Sequence, residues 1–224
     1  MSVARPLSQP DEKILFFVRH GQTEWNAVQR MQGRSNSPLT SLGLKQADES
    51  GALLSQFPIE KLYASPLGRV QQTVSRIREH VPLDAIIDDR LKEWHCGEWS
   101  GSLYKELRAN WPVEYTEWQA DRYYVRPPGG ENYPDMIIRA RSFLDDVLAT
   151  SYGVVGVISH GMIGRVMIAT LLGLSERGTM ALRQANDVVI RVTIGSEGSP
   201  VADHFIRGRG PHSGVPQTGS DRSV

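Results

Sequence analysis

A single cysteine, Cys96, stands in a chain of 224 residues, which excludes an intramolecular disulfide framework and fits a reducing compartment such as the cytoplasm. No apolar stretch approaches the roughly 18 residues that a membrane-spanning helix needs. The opening residues 1–12 are polar, contain two prolines and lack the apolar centre of a signal peptide, so they are expected to form a flexible N-terminus on a soluble protein. Neither charge is in excess: Lys+Arg and Asp+Glu number 25 each. That balance gives nucleic acid and anionic membranes nothing to attract, and any anion site must be local. No internal repeat is evident. A 40% hydrophobic, 22% charged composition over this length suits one sizeable core and is short for two.

Three apolar runs carry polar residues at their ends. Ile14–Val18 is unbroken, as a strand buried on both faces would be, and stops at Arg19-His20-Gly21. Lys61–Ala64 stops at Ser65-Pro66, where Ser suits a helix N-cap and Pro the first helical position, so a helix is expected to start there. Val154–Ile158 stops at Ser159-His160-Gly161 and leads into a helical segment, Met162–Leu172, closed by Gly173. Met136, Ile137, Ala140, Phe143, Leu144, Val147 and Leu148 form a clear helical stripe that begins after Pro134 and Asp135. Thr40 is placed to cap a helix whose inner face would carry Leu44, Ala47, Gly51 and Leu54. Further strands are expected at 84–87, 188–194 and 201–206, the last two as a hairpin. Residues 207–224, rich in Gly, Pro, Ser and Arg, read as a disordered tail. The alternation implies a three-layer α/β/α sandwich on a mostly parallel sheet, with one domain over 13–206.

In open α/β sheets ligands bind beyond the carboxyl ends of strands. If the three strands are neighbours, Arg19, His20, Arg69 and His160 gather on one rim, because the Arg69 side chain leans toward the start of its helix. Two guanidinium groups and two imidazoles facing one volume suit a tetrahedral anion, and a phosphate pocket follows. His20, next to Gly21, is the better nucleophile, with Gly21 expected to let backbone approach the ligand. The arginines should keep its imidazole neutral until the anion arrives. A leaving oxygen still needs an acid. Glu93, after the third strand and beside the apolar Trp94, is the candidate, with Glu98 as its competitor.

These motifs in this order resemble the histidine phosphatase superfamily, the phosphoglycerate-mutase-like fold of branch 1, over residues 13–206. Arg19-His20-Gly21-Gln22-Thr23-Glu24-Trp25-Asn26 is similar to the opening signature of that family, Gln32-Gly33 with Ser37-Pro38-Leu39-Thr40 to its next motif, Ser65–Thr73 to its second arginine motif and Ser159-His160-Gly161 to its second histidine motif. The resemblance implies that His20 accepts the phosphoryl group and that Glu93 is the proton donor. It makes Arg19, Arg69, His160 and Asn26 phosphate ligands, with Thr23 and the Gly161 amide as weaker ones. It implies no metal and no cofactor, and a small phosphorylated metabolite as substrate; a homodimer is left open. Asn36 stands where many relatives carry Asp, removing a charge from a loop beside the pocket. Cys96 and Tyr104 occupy the positions of the Tyr and Lys that hold phosphoglycerate in the mutases, which favours hydrolysis of small phosphate monoesters over mutase chemistry. A catalytically inactive phosphate-binding module is the reading from another class, and intact His20, Glu93 and His160 argue against it.

The aromatics Trp94, Trp99, Trp111, Tyr115, Trp118, Tyr123 and Tyr124 crowd the segment 94–133. Core packing of a helical insertion and a lid over the substrate both account for them. His80, His95, His204 and His212 have no matching partners, and Cys96 reads as a spectator thiol.

Overall fold

The computed structural model describes residues 12–195 and 198–217. Seven strands make one sheet: β1 (Glu12–Arg19), β2 (Lys61–Ala64), β3 (Ala85–Ile87), β4 (Val154–Ser159), β5 (Val188–Gly195), β6 (Val201–Ile206) and β7 (Arg209–Ser213). Their order is β3-β2-β4-β1-β5-β6-β7. The first four are mutually parallel and the last three run antiparallel. The helices are α1 (Glu24–Ala27), α2 (Ser41–Leu54), α3 (Gly68–Ile77), α4 (Leu107–Asn110), α5 (Pro112–Ala120), α6 (Tyr133–Ala149), α7 (Gly161–Leu171) and α8 (Glu176–Ala181).

The unbroken apolar character of β1 follows from its place between two cores. Leu15 and Phe17 pack with Met136, Phe143, Ile163 and Met167 of α6 and α7, while Phe16 and Val18 pack with Leu54, Val70 and Val74 of α2 and α3. Helices therefore cover both faces of the sheet, and truncating a fully buried phenylalanine such as Phe16 would cost about 3–5 kcal/mol. The expected stripe of α6 is buried at Met136, Ala140, Phe143, Leu144 and Val147. Asn132 caps that helix, with a reciprocal bond from its own backbone to Asp135.

Three expectations change. Residues 207–217 are not a disordered tail: β7 pairs with β6, and the Arg183 amide donates to the Pro216 carbonyl. All five residues of β7 are exposed, so main-chain pairing holds this edge strand and no apolar alternation announces it. Residues 1–11, expected to be flexible, and 218–224 lie outside the described residues. The helix expected from Pro66 starts at Gly68, with Leu67 at its N-cap. In α2, Leu44 is exposed whereas Gly43 is buried, because the first turn is pressed against Gly21 and Gln22.

Candidate active site

The registers bring the carboxyl ends of β1, β4 and β2 level. Arg19 pairs with Ser159 and Ala64 with Ile158, and the amides of His20 and Ser65 each reach a β4 carbonyl at 3.1 Å. Arg19, His20, Asn26, Arg69 and Glu93 line one cavity of about 750 Å³. His160 is not on that wall; it is fully buried against His20, ring edge to ring face, at 5.2 Å between centroids.

His20 has a defined tautomer. Its Nδ1 is 2.8 Å from the Gly21 carbonyl, which can only accept, so the ring proton sits there. Nε2 then carries the lone pair and accepts from Arg69 Nε at 3.1 Å. Burial, followed by the charges of Arg69 and Arg19, holds the His20 pKa well below its ordinary value, so the imidazole is neutral at pH 7. His160 is shifted the same way, by burial first and then by Arg69. The Asn186 amide donates to the His20 carbonyl at 2.7 Å and steadies the backbone there.

A Cβ on Gly21 would lie 2.1 Å from the Gly43 carbonyl, so the start of α2 approaches this glycine closely. Gly161 plays the corresponding part for Arg19, whose guanidinium lies 3.2–3.5 Å from where a Cβ would be. Ser65, read as a helix cap, instead meets His160 Nε2 at 2.8 Å through its hydroxyl.

Arg69 is 1% exposed, and its Nη atoms donate to the carbonyls of Ser35 and Gly33 at 2.6 and 2.8 Å. Burial brings its pKa down to about 10, which still leaves it a cation at neutral pH. Asn36 Oδ1 accepts from the Arg69 amide at 2.8 Å and so caps the start of α3. Asparagine performs that task without a charge. Arg19 donates through Nη1 to the Gln184 carbonyl at 2.9 Å. Its Nε and His160 Nδ1 are buried polar atoms without a partner, a costly condition that an anion in the cavity would relieve.

The Glu93 carboxylate accepts from the amides of Trp94 at 2.9 Å, Met162 at 3.2 Å and Ile163 at 3.1 Å. It is thereby fixed at the N-terminus of α7, with Trp94 beside it on the cavity wall. Arg139 holds the preceding loop by donating to the carbonyls of Arg90 and Lys92, both at 2.6 Å. Its ion pair with Glu131, at 3.1 Å, ties the loop to the segment before α6. Glu98, the competing acid, is not on the cavity wall. Neither is Thr23, which is buried and bonded to the Asn26 amide and the Gln32 side chain. Asn26 returns its Oδ1 to the Thr23 amide at 3.1 Å.

In the segment 94–133, Trp94, Tyr104, Trp118 and Arg122 form a cavity wall while Trp99 is fully buried beneath it. Both readings of the aromatics therefore apply, to different residues. Cys96 is 1% exposed and burial pushes its thiol up to about 11, an inert state.

The family model described as histidine phosphatase superfamily (branch 1) matches residues 15–206. The chain belongs to that superfamily. Phosphoserine phosphatase 1 of Hydrogenobacter thermophilus is 35% identical over 160 residues, covering 71% of this chain and 76% of that protein. The protein named "Probable phosphoglycerate mutase GpmB" in Serratia proteamaculans is 35% identical over 182 residues, covering 80% and 83%. Among solved structures, mycobacterial glucosyl-3-phosphoglycerate phosphatase superposes with a TM-score of 0.73 at 26% identity, covering 81% of this chain and 90% of that one. That enzyme has also been solved with inorganic phosphate. The histidine phosphatase described here is thus an α/β phosphatase whose strand ends meet where its family motifs lie.

Proposed function

We propose that the enzyme hydrolyses small phosphate monoesters in two in-line transfers through a phosphohistidine on His20. The observation that carries this reading is a neutral imidazole with its Nε2 lone pair facing a buried guanidinium. Phosphate binding draws the Arg69 Nε–H from that lone pair to a phosphoryl oxygen, and Nε2 becomes free to attack. Arg19 and Asn26 bind the same group, and Ser65 donates to His160 Nε2 so that Nδ1–H points its proton at an equatorial oxygen.

In the first transfer the Nε2–P bond forms, the ester O–P bond breaks, and Glu93 gives its proton to the departing alcohol. In the second, water forms its O–P bond as Nε2–P breaks, and Glu93 takes the water proton back. Protonated Glu93 exchanges one N–H acceptor position for an O–H donor aimed at the cavity. That the mycobacterial relative has been solved with inorganic phosphate supports phosphate as a ligand. The single cysteine supports a cytoplasmic location.

A mutase reading is favoured by the Serratia relative. It is weakened by Cys96, which is buried and cannot make a mutase-type substrate contact. Incubation with a phosphate monoester and no bisphosphate primer separates the two: inorganic phosphate released at steady state supports hydrolysis, and primer-dependent isomerisation without release would replace it with the mutase.

A further inference from the structure

The cavity is far larger than a phosphate and more cationic than one phosphate requires. Beyond Arg19 and Arg69 its wall includes Arg30, Arg122, Arg165 and Arg183, against only two carboxylates, Glu93 and Glu131. Both carboxylates are occupied, Glu93 by the start of α7 and Glu131 by Arg34 at 2.8 Å and Arg139 at 3.1 Å. Three of the four additional arginines have ordinary explanations. Arg30 is bonded to the Gly101 carbonyl and lies over the Trp25 ring, Arg122 lies over Trp118 at 4.7 Å, and Arg183 is exposed to water.

Arg165 has none of these. It is half-buried on α7, its Nη1 donates to the Tyr133 hydroxyl at 2.8 Å, and its Nε is buried without any acceptor. Among the described residues no carboxylate pairs with it. A partly desolvated guanidinium with no counter-charge is unfavourable unless a ligand supplies one. Its charge is felt at Arg19, so the two guanidinium groups serve neighbouring parts of one cavity.

We infer that Arg165, with the Tyr133 hydroxyl, binds a carboxylate carried by the leaving group, which makes the preferred substrates phosphate esters of small hydroxy acids. The inference rests on the phosphatase reading above. One guanidinium and one phenol match a monoanion, whereas the phosphate end of the same cavity sets two guanidinium groups, Arg19 and Arg69, beside His20, which suits a dianion. Glu93 is held by the first turn of the helix that carries Arg165, so acid and carboxylate site share one rigid element.

The test compares 3-phosphoglycerate with glycerol 3-phosphate, which differ in carrying a carboxylate or a hydroxymethyl group, by release of inorganic phosphate. The wild type should favour the carboxylated ester by about 10-fold or more in kcat/KM. Arg165→Met should bring that ratio close to one, and Tyr133→Phe should lower it about threefold. A ratio that both substitutions leave at its wild-type value overturns the carboxylate site, and hydrolysis of glycerol 3-phosphate by the wild type shows in that case that the phosphatase reading survives. A wild type that releases phosphate from neither ester, nor from p-nitrophenyl phosphate, overturns the phosphatase reading and the carboxylate site together.

Discussion

At the phosphate end of the cavity each side chain is delivered by a strand end or the first turn of a helix, and His20, Arg69 and His160 are at most 2% exposed. The opposite wall, within residues 94–133, is made from helical pieces of three to nine residues, and Tyr104 there is 50% exposed. One end is pre-organised by the sheet and its buried cations, as phosphoryl transfer demands. The other is an aromatic surface on irregular backbone, which can change between relatives without disturbing the chemistry.

If that division is right, substitutions at the phosphate end should strike kcat and those in the aromatic wall should strike KM. The largest effect is expected from His20→Ala, with kcat for p-nitrophenyl phosphate reduced at least about 10³-fold and thermal unfolding still cooperative. Next is Glu93→Gln, measured across esters of increasing leaving-group pKa. An alkyl phosphate should lose about 10²–10⁴-fold and p-nitrophenyl phosphate far less, since a good leaving group needs no acid; a uniform loss across the series would remove Glu93 from the proton transfer. Ser65→Ala should lower kcat by about 10-fold with little change in KM, because it frees the ring it orients. Trp118→Ala should do the opposite, raising KM a few-fold at constant kcat. If Trp118 moved kcat as strongly as Ser65, the two ends would not be separable.

The buried imidazoles also set an acid limit. His20 and His160 have folded pKa values below the unfolded 6.5, so the unfolded chain binds more protons in the window beneath 6.5. Their neutral burial is fully compatible with folding above pH 6.5, and stability is lost as pH falls from 6.5 toward the folded values. Denaturant titrations at pH 7.5 and 5.5 should show this fall, and His160→Asn should make it shallower.

The phosphate end was also the legible one. Arg19, His20 and His160 stand at the ends of apolar runs, where local sequence alone implies a strand terminus, and Arg69 follows one helical turn after another. What local pattern could not carry were contacts between distant segments. Asn36 capping α3, Arg34 on Glu131 and Asn186 on the His20 carbonyl join residues 33 to 166 positions apart. Ser65 was misread because a serine before a proline fits a helix cap, and only the pairing of β2 with β4 reveals that a histidine lies opposite. Arg165 carries no signal in the sequence because its lack of a counter-charge is a property of the fold. β7 escaped because an exposed edge strand needs no hydrophobic alternation, and its Gly and Pro content pointed to a tail.

The central claim is a covalent bond between phosphorus and Nε2 of His20. Rapid quenching of the wild-type enzyme during turnover of a ³²P-labelled monoester, followed by peptide mapping, tests it most directly. Acid-labile, base-stable label on His20, formed and lost at rates that match turnover, is the predicted result. Full turnover with no label on the protein, or label on a different residue, would contradict it.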